Sequence, residues 1–188
     1  MKSQLLGLLF ILSGFVGLKA QDSTTINLKL PEVHRISMFS FSYKTGMYSN
    51  GYGLSYYRFP KTDVKGWYFP VSLSLENISV KSGNFSQLNF QTSPLNFFLP
   101  GISACRNISD NFWINIGLQV PMSTEQLADV YGKVITHPII GLAPVQEIFI
   151  IPRTPYGIIF GIGIYERITN SFIYQNDIGI RAELGLKF

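Results

Sequence analysis

In one segment after another, apolar residues fall at every second position, and few folds accommodate that. In "NFWINIGLQV", Phe112, Ile114, Ile116, Leu118 and Val120 share one side, while Trp113, Asn115, Gly117 and Gln119 share the other. "WYFPVSLSLE" sets Trp67, Phe69, Val71, Leu73 and Leu75 against Tyr68, Pro70, Ser72, Ser74 and Glu76. "GIIFGIGIY" sets Ile158, Phe160, Ile162 and Ile164 against Gly157, Gly161, Gly163 and Tyr165, with Ile159 out of step. The final stretch sets Ile180, Ala182, Leu184, Leu186 and Phe188 against Arg181, Glu183, Gly185 and Lys187. Side chains alternate across a strand, so period two repeated in series specifies an all-β chain with one apolar and one polar sheet face.

Four further segments complete a set of eight expected strands. Arg35 to Lys44 and Gly51 to Phe59 flank the turn-rich "TGMYSN". One strand falls within Phe85 to Ala104, its register open across Pro94 and Pro100, and another within Ile139 to Ile151, where Pro144 argues for an edge, bulge or bend. "PKTDVKG", "RNISD" and "PRTP" are short connections. "MSTEQLADVYGKVITH" is the longest, and predicts one short helix capped by Ser123 or Thr124, with Leu127, Val130 and Tyr131 at helical spacing.

Location is written at the start. Residues 1–20 carry Lys2, an apolar run from Leu5 to Leu18, and Ala20 before Gln21, which is the pattern of a secretory signal. Residues 21–33 then read as a periplasmic lead-in and 34–188 as the β-domain. With the signal go two of the 15 basic residues, Lys2 and Lys19, leaving 13 against 11 acidic. There is no Lys/Arg cluster, so no nucleic-acid footprint. Charged residues are only 14% of the chain, well below the usual quarter, so much of the surface is something other than solvated charge. Cys105 is the single cysteine, which excludes an intrachain disulfide.

Signal, serial alternation and the ending "IRAELGLKF" together resemble the small outer-membrane β-barrels of Gram-negative bacteria, and the "KAQ" cleavage context looks like that of Bacteroidetes proteins. The resemblance implies an antiparallel transmembrane β-barrel of eight strands, with ten as the other even count considered. It implies contact with outer-membrane lipid and lipopolysaccharide, and recognition by the barrel-assembly machinery through Ile180, Ala182, Leu184, Leu186 and Phe188. In such a barrel Trp67, Tyr68, Phe69, Phe112, Trp113, Tyr156, Tyr165 and Phe188 would form interfacial girdles. Glu76, Arg181, Glu183 and Lys187 would point inward and pair as an interior charge network, since unpaired ions there would cost several kcal/mol each.

Chemistry-bearing motifs are sparse. The histidines are His34 and His137, with Ser123 and Asp129 the candidates to work with His137. There is no metal-ligand spacing, phosphate loop or nucleotide motif, so no cofactor or metal is expected. The reading is a non-enzymatic outer-membrane barrel serving envelope integrity or surface contacts through its external loops. The alternatives are a lipid A or phospholipid hydrolase using His137, and a soluble secreted ligand-binding β-barrel.

Overall fold

Ser37–Gly46 (β1) and Ser49–Arg58 (β2) pair as a hairpin around Met47 and Tyr48 in the computed structural model. The structure describes residues 36–60, 64–81, 94–128, 131, 133–172 and 175–188, with 127 and 128 as backbone only. The chain divides into Met1–Glu32 and Val33–Phe188, and every described residue belongs to the second unit. The expected signal, the lead-in, His34 and Asp129 lie outside the described residues.

The remaining strands are Trp67–Tyr68 (β3), Val71–Val80 (β4), Leu95–Ser109 (β5), Phe112–Gln119 (β6), Met122–Ala128 (β7), Val134–Ile150 (β8), Gly157–Thr169 (β9) and Asn176–Lys187 (β10). Two pairs of them are single barrel strands interrupted by proline, which has no N–H to give the ladder. β3 and β4, broken at Pro70, both pair with β5; β6 and β7, broken at Pro121, both pair with β8. Ten segments therefore make eight staves, all antiparallel. The sheet closes where β1 meets β10, and the Ser37 and Phe188 backbones exchange N–H to C=O bonds at 2.9 Å each. Closure leaves no free edge at this seam.

Burial alternates along nearly every strand. On β1, Met38, Ser40, Ser42 and Lys44 are buried while Phe39, Phe41 and Tyr43 are exposed. On β10, Asp177, Arg181, Glu183 and Lys187 point in, and Ile178, Ile180, Leu184 and Leu186 point out. The apolar sets of Leu73 and Leu75, of Ile158, Phe160, Ile162 and Ile164, and of Phe112 and Leu118 all face outward. The barrel is apolar outside and polar within.

Apolar side chains gather in two clusters, one at each end of the interior, with Ala143 and Val145 buried outside both. Met38, Tyr57, Phe59, Cys105, Phe149, Ile151 and Ile159 fill the end that carries Ser37 and Phe188, here the near end. Ile78, Leu95, Phe97, Leu99 and Ile139 fill the far end. Charged and hydroxyl side chains occupy the belt between.

Several expectations change. The segment from Met122 to Ala128, which carries the expected helix cap, is strand; it pairs with β8 from Ala128↔Val134 to Met122↔Ile140 and lengthens that hairpin. The described residues hold no helix. The cap positions Ser123 and Thr124, and Leu127 with them, are taken up by cross-strand pairing, while Val130 lies outside the described residues. Pro144 sits within the long β8 opposite Leu118, and the pairing of β8 with β9 is interrupted there, between Leu142↔Ile168 and Val145↔Tyr165. Tyr165 is buried inside rather than placed in a girdle, because it shares parity with Gly161 and Gly163. Tyr68 and Trp113 also turn toward the near-end cluster, ring centroids 5.6 Å apart.

Candidate functional site

Three carboxylates and three cations form the centre of the interior belt. Glu76 on β4 takes an ion pair from Lys44 on β1 and another from Arg167 on β9, the latter at 2.7 Å. Arg181 on β10 pairs with Glu183 and approaches Glu147 on β8 at 3.2 Å, an ion pair whose angle falls short of a hydrogen bond. One triad thus has two cations on one carboxylate and the other two carboxylates on one cation. Their net charges are opposite, so the belt is neutral as a whole. Arg167 also lies over the Phe97 ring at 4.8 Å, where aromatic faces attract a desolvated cation.

Gly163 makes the second triad possible. It stands opposite Glu147 on one side and opposite Arg181 on the other. A Cβ at Gly163 would lie 2.5 Å from Glu147 Cγ and 2.2 Å from the Gln146 carbonyl oxygen. The missing side chain lets the guanidinium reach across the intervening strand.

Neutral hydroxyls and amides extend the network. Arg181 Nη2 donates to Ser55 Oγ at 2.9 Å and to Tyr57 Oη at 3.0 Å, and Ser40 donates to Glu183 at 2.9 Å. Ser55 and Ser74 share a hydrogen bond of 2.8 Å, and Gln119 Nε2 donates to Ser74 at 3.3 Å. Small inward serines suit a barrel of eight staves, whose interior is only wide enough for side chains.

Of the four charges expected to point inward, Arg181 and Glu183 touch each other. Glu76 belongs to the other triad. Lys187 stands apart at the near end, donating to the Pro152 carbonyl at 2.7 Å. Lys44, Arg167 and Glu147 are the members that sequence reasoning missed. Their signal was present: each shares the parity of the polar face on its own strand, Lys44 with Ser40 and Ser42, Arg167 with Tyr165, Glu147 opposite outward Ile148.

A second cluster lies toward the far end. Glu125 on β7 is fully buried and accepts from the Ser171 hydroxyl at 2.7 Å and the Phe172 amide at 2.8 Å, with His137 Nδ1 at 3.0 Å. His137 packs on the Phe172 ring, centroids 4.5 Å apart. Register explains the pairing, since Glu125 is opposite His137. The two hydroxyls near this histidine are committed elsewhere. Ser123 donates to the Asn96 carbonyl at 2.6 Å, and Ser171 to Glu125. The cluster is built as a clamp between the β7–β8 hairpin and the segment after β9. Nearby, Asp177 accepts from Ser49, the Tyr48 amide and Tyr165, tying the β1–β2 turn to β10.

The outward residues of the last strand, Ile180, Ala182, Leu184 and Leu186, form one exposed stripe ending at Phe188. No group of three or more metal-ligating side chains occurs among the described residues.

These features define a closed eight-stranded antiparallel β-barrel with an apolar exterior and an ion-paired interior. The backbone is similar to the N-terminal β-barrel domain of Pseudomonas aeruginosa OprF, with a TM-score of 0.52 at 8% identity over 81% of this chain and 97% of that one. It is also similar to Neisserial surface protein A (NspA), with a TM-score of 0.49 at 10% identity over 81% and 95% of the two chains. The OprF likeness is one of fold. No protein-family model matches the sequence, and no curated protein matches it.

Proposed function

We propose that this protein is an integral outer-membrane β-barrel without catalytic activity, which serves envelope integrity or surface contacts through the loops of its far end. The observation that carries the reading is the inverted distribution of side chains. A soluble ligand-binding barrel would hide its apolar face inside. Here Leu54, Leu73, Ile148, Ile162 and Leu184 are exposed on the outer wall while Glu76, Arg167 and Arg181 are buried. Water would not tolerate so extensive an apolar wall, and lipid requires a closed sheet in which each backbone group is paired.

The packed interior supports a structural role over a diffusion pore. Apolar clusters lie at both ends, and the ionic belt between them is internally neutralised. The clamped β7–β8 hairpin at the far end supplies a stiff support for surface contacts. Outer-membrane lipid and lipopolysaccharide would cover the wall, and the barrel-assembly machinery would read the stripe from Ile180 to Phe188 during biogenesis.

Cell fractionation tests the location. The protein should stay with outer membranes and require detergent for release; release by salt or alkali alone would contradict it. His137→Ala tests the absence of catalysis, since lipid A and phospholipid profiles should be the same with either form. A profile that changes only with intact His137 would make the protein a lipid-modifying enzyme.

A further inference from the structure

A cavity of about 10 Å³ lies in the barrel wall between β4, β5 and β6, on the flank of the charge belt. Its geometry follows from one residue. Gly117 stands opposite Ser103 across the β5–β6 ladder, and its inward neighbours on β6 are Asn115 and Gln119. With no side chain at 117, those two amides and the Ser103 hydroxyl surround an open cell, and Arg181 reaches it from the other side.

The polar atoms at this cell are oriented by bonds made elsewhere. Asn115 Nδ2 donates to Glu147 at 3.0 Å and Gln119 Nε2 donates to Ser74 at 3.3 Å. Each amide therefore turns its NH2 group to the protein and keeps its carbonyl oxygen unpaired. Asn115 Oδ1, Gln119 Oε1, Ser103 Oγ and Arg181 Nη1 are buried and have no hydrogen-bond partner within the protein. Leaving such groups unsatisfied is costly, because each has given up its hydrogen bonds to water and gained none in return.

We infer that this cell binds one water molecule as a fixed part of the barrel interior. The complement is that of water: two acceptors, Asn115 Oδ1 and Gln119 Oε1, for its protons, and two donors, the Ser103 hydroxyl and Arg181 Nη1, for its lone pairs. A space of about 10–15 Å³ for its centre and two to four polar partners are what a buried water needs. A metal cation would meet the Arg181 guanidinium as a like charge, and an anion would meet two carbonyl oxygens. The water joins the serine-lined wall to the Glu147–Arg181–Glu183 triad.

The test is a crystal structure of the whole barrel at a resolution that shows ordered solvent, together with Gly117→Ala. The wild type should show one water within hydrogen-bond distance of Asn115 Oδ1, Gln119 Oε1 and Ser103 Oγ. A Cβ at position 117 would sit 3.1 Å from Ser103 Cβ, which must give by a few tenths of an ångström, and otherwise meet only ordinary contacts; the methyl then takes the space of the cell and expels the water. Although alanine suits a strand better than glycine, the variant should lose the density and unfold at a lower urea midpoint. If it does not fold, the wild-type density alone decides. A dry cell, a metal ion in it, amide oxygens turned onto protein donors, or an unchanged or raised midpoint in Gly117→Ala would each overturn the inference.

Discussion

Lys44 and Arg181 stand opposite each other across the β1–β10 seam, two buried cations in direct register. Neither answers the other. Lys44 turns to Glu76 on β4, and Arg181 to Glu147 on β8 and to Glu183 on its own strand. The backbone ladder closes the seam, and the carboxylates give each of its two facing cations a counter-charge of its own.

Removing one carboxylate should have unequal effects. Glu76→Gln removes the carboxylate that Lys44 and Arg167 share, and should lower the unfolding free energy by about 3–5 kcal/mol, the range for breaking a buried pair. Glu147→Gln leaves Arg181 its Glu183 partner and should cost distinctly less. Equilibrium unfolding in lipid vesicles measures both. Equal losses would contradict the two-triad description.

Ile162 is 61% exposed at the middle of β9. Ile162→Arg should destabilise the barrel by about 2–4 kcal/mol if that position lies at the bilayer midplane. Ile158→Arg, nearer the strand end, should cost less. The same vesicle titration compares them, and a flat profile would mean that the outer wall does not meet hydrocarbon.

Glu125→Ala removes the acceptor for the Ser171 hydroxyl, the Phe172 amide and His137 together. Hydrogen exchange at the Phe172 amide should quicken by about tenfold or more, since a hydrogen bond to a charged group contributes about 1.5–3 kcal/mol. Amides of β1 and β2 should keep their protection. Unchanged exchange at Phe172 would show that the segment is held by other contacts.

Phe188→Asp should impair assembly beyond what its packing explains. Burying a Phe side chain contributes roughly 1.5–3 kcal/mol, and Phe188 is half exposed. The altered chain should accumulate in a protease-sensitive form lacking the heat-modifiable gel shift of a folded barrel. Lys187→Ala, whose side chain points inward, should leave targeting nearly intact. Normal membrane insertion of Phe188→Asp would reduce the terminal aromatic to interfacial packing.

Much of this architecture was legible because period two is a local signal. The outward stripes Ile158 to Ile164 and Leu184 to Phe188 could be read residue by residue, and with them the inward parity of Arg181 and Glu183. Partner choice was not legible, because it depends on which stave lies across the interior. Nothing in "SYK" says that Lys44 will meet Glu76 rather than Glu183, and Glu147 is hidden in a segment apolar on both sides. The strand from Met122 to Ala128 was not legible because Ser123 or Thr124 with Leu127 fits a helix start locally, while the partners of Glu125, Ser171 and Phe172, lie far along the chain. Tyr165 was misplaced by its chemistry; its parity already put it inside.

The central claim is that the apolar wall faces lipid. Spin labels placed singly at Leu54, Leu73, Ile148, Ile162 and Leu184, in a Cys105→Ala background, measure it directly through collision with oxygen and with a water-soluble nickel chelate. All five positions should favour oxygen strongly, with a maximum near mid-strand. If these positions instead favour the nickel chelate, the wall is bathed in water and the protein is not a membrane barrel.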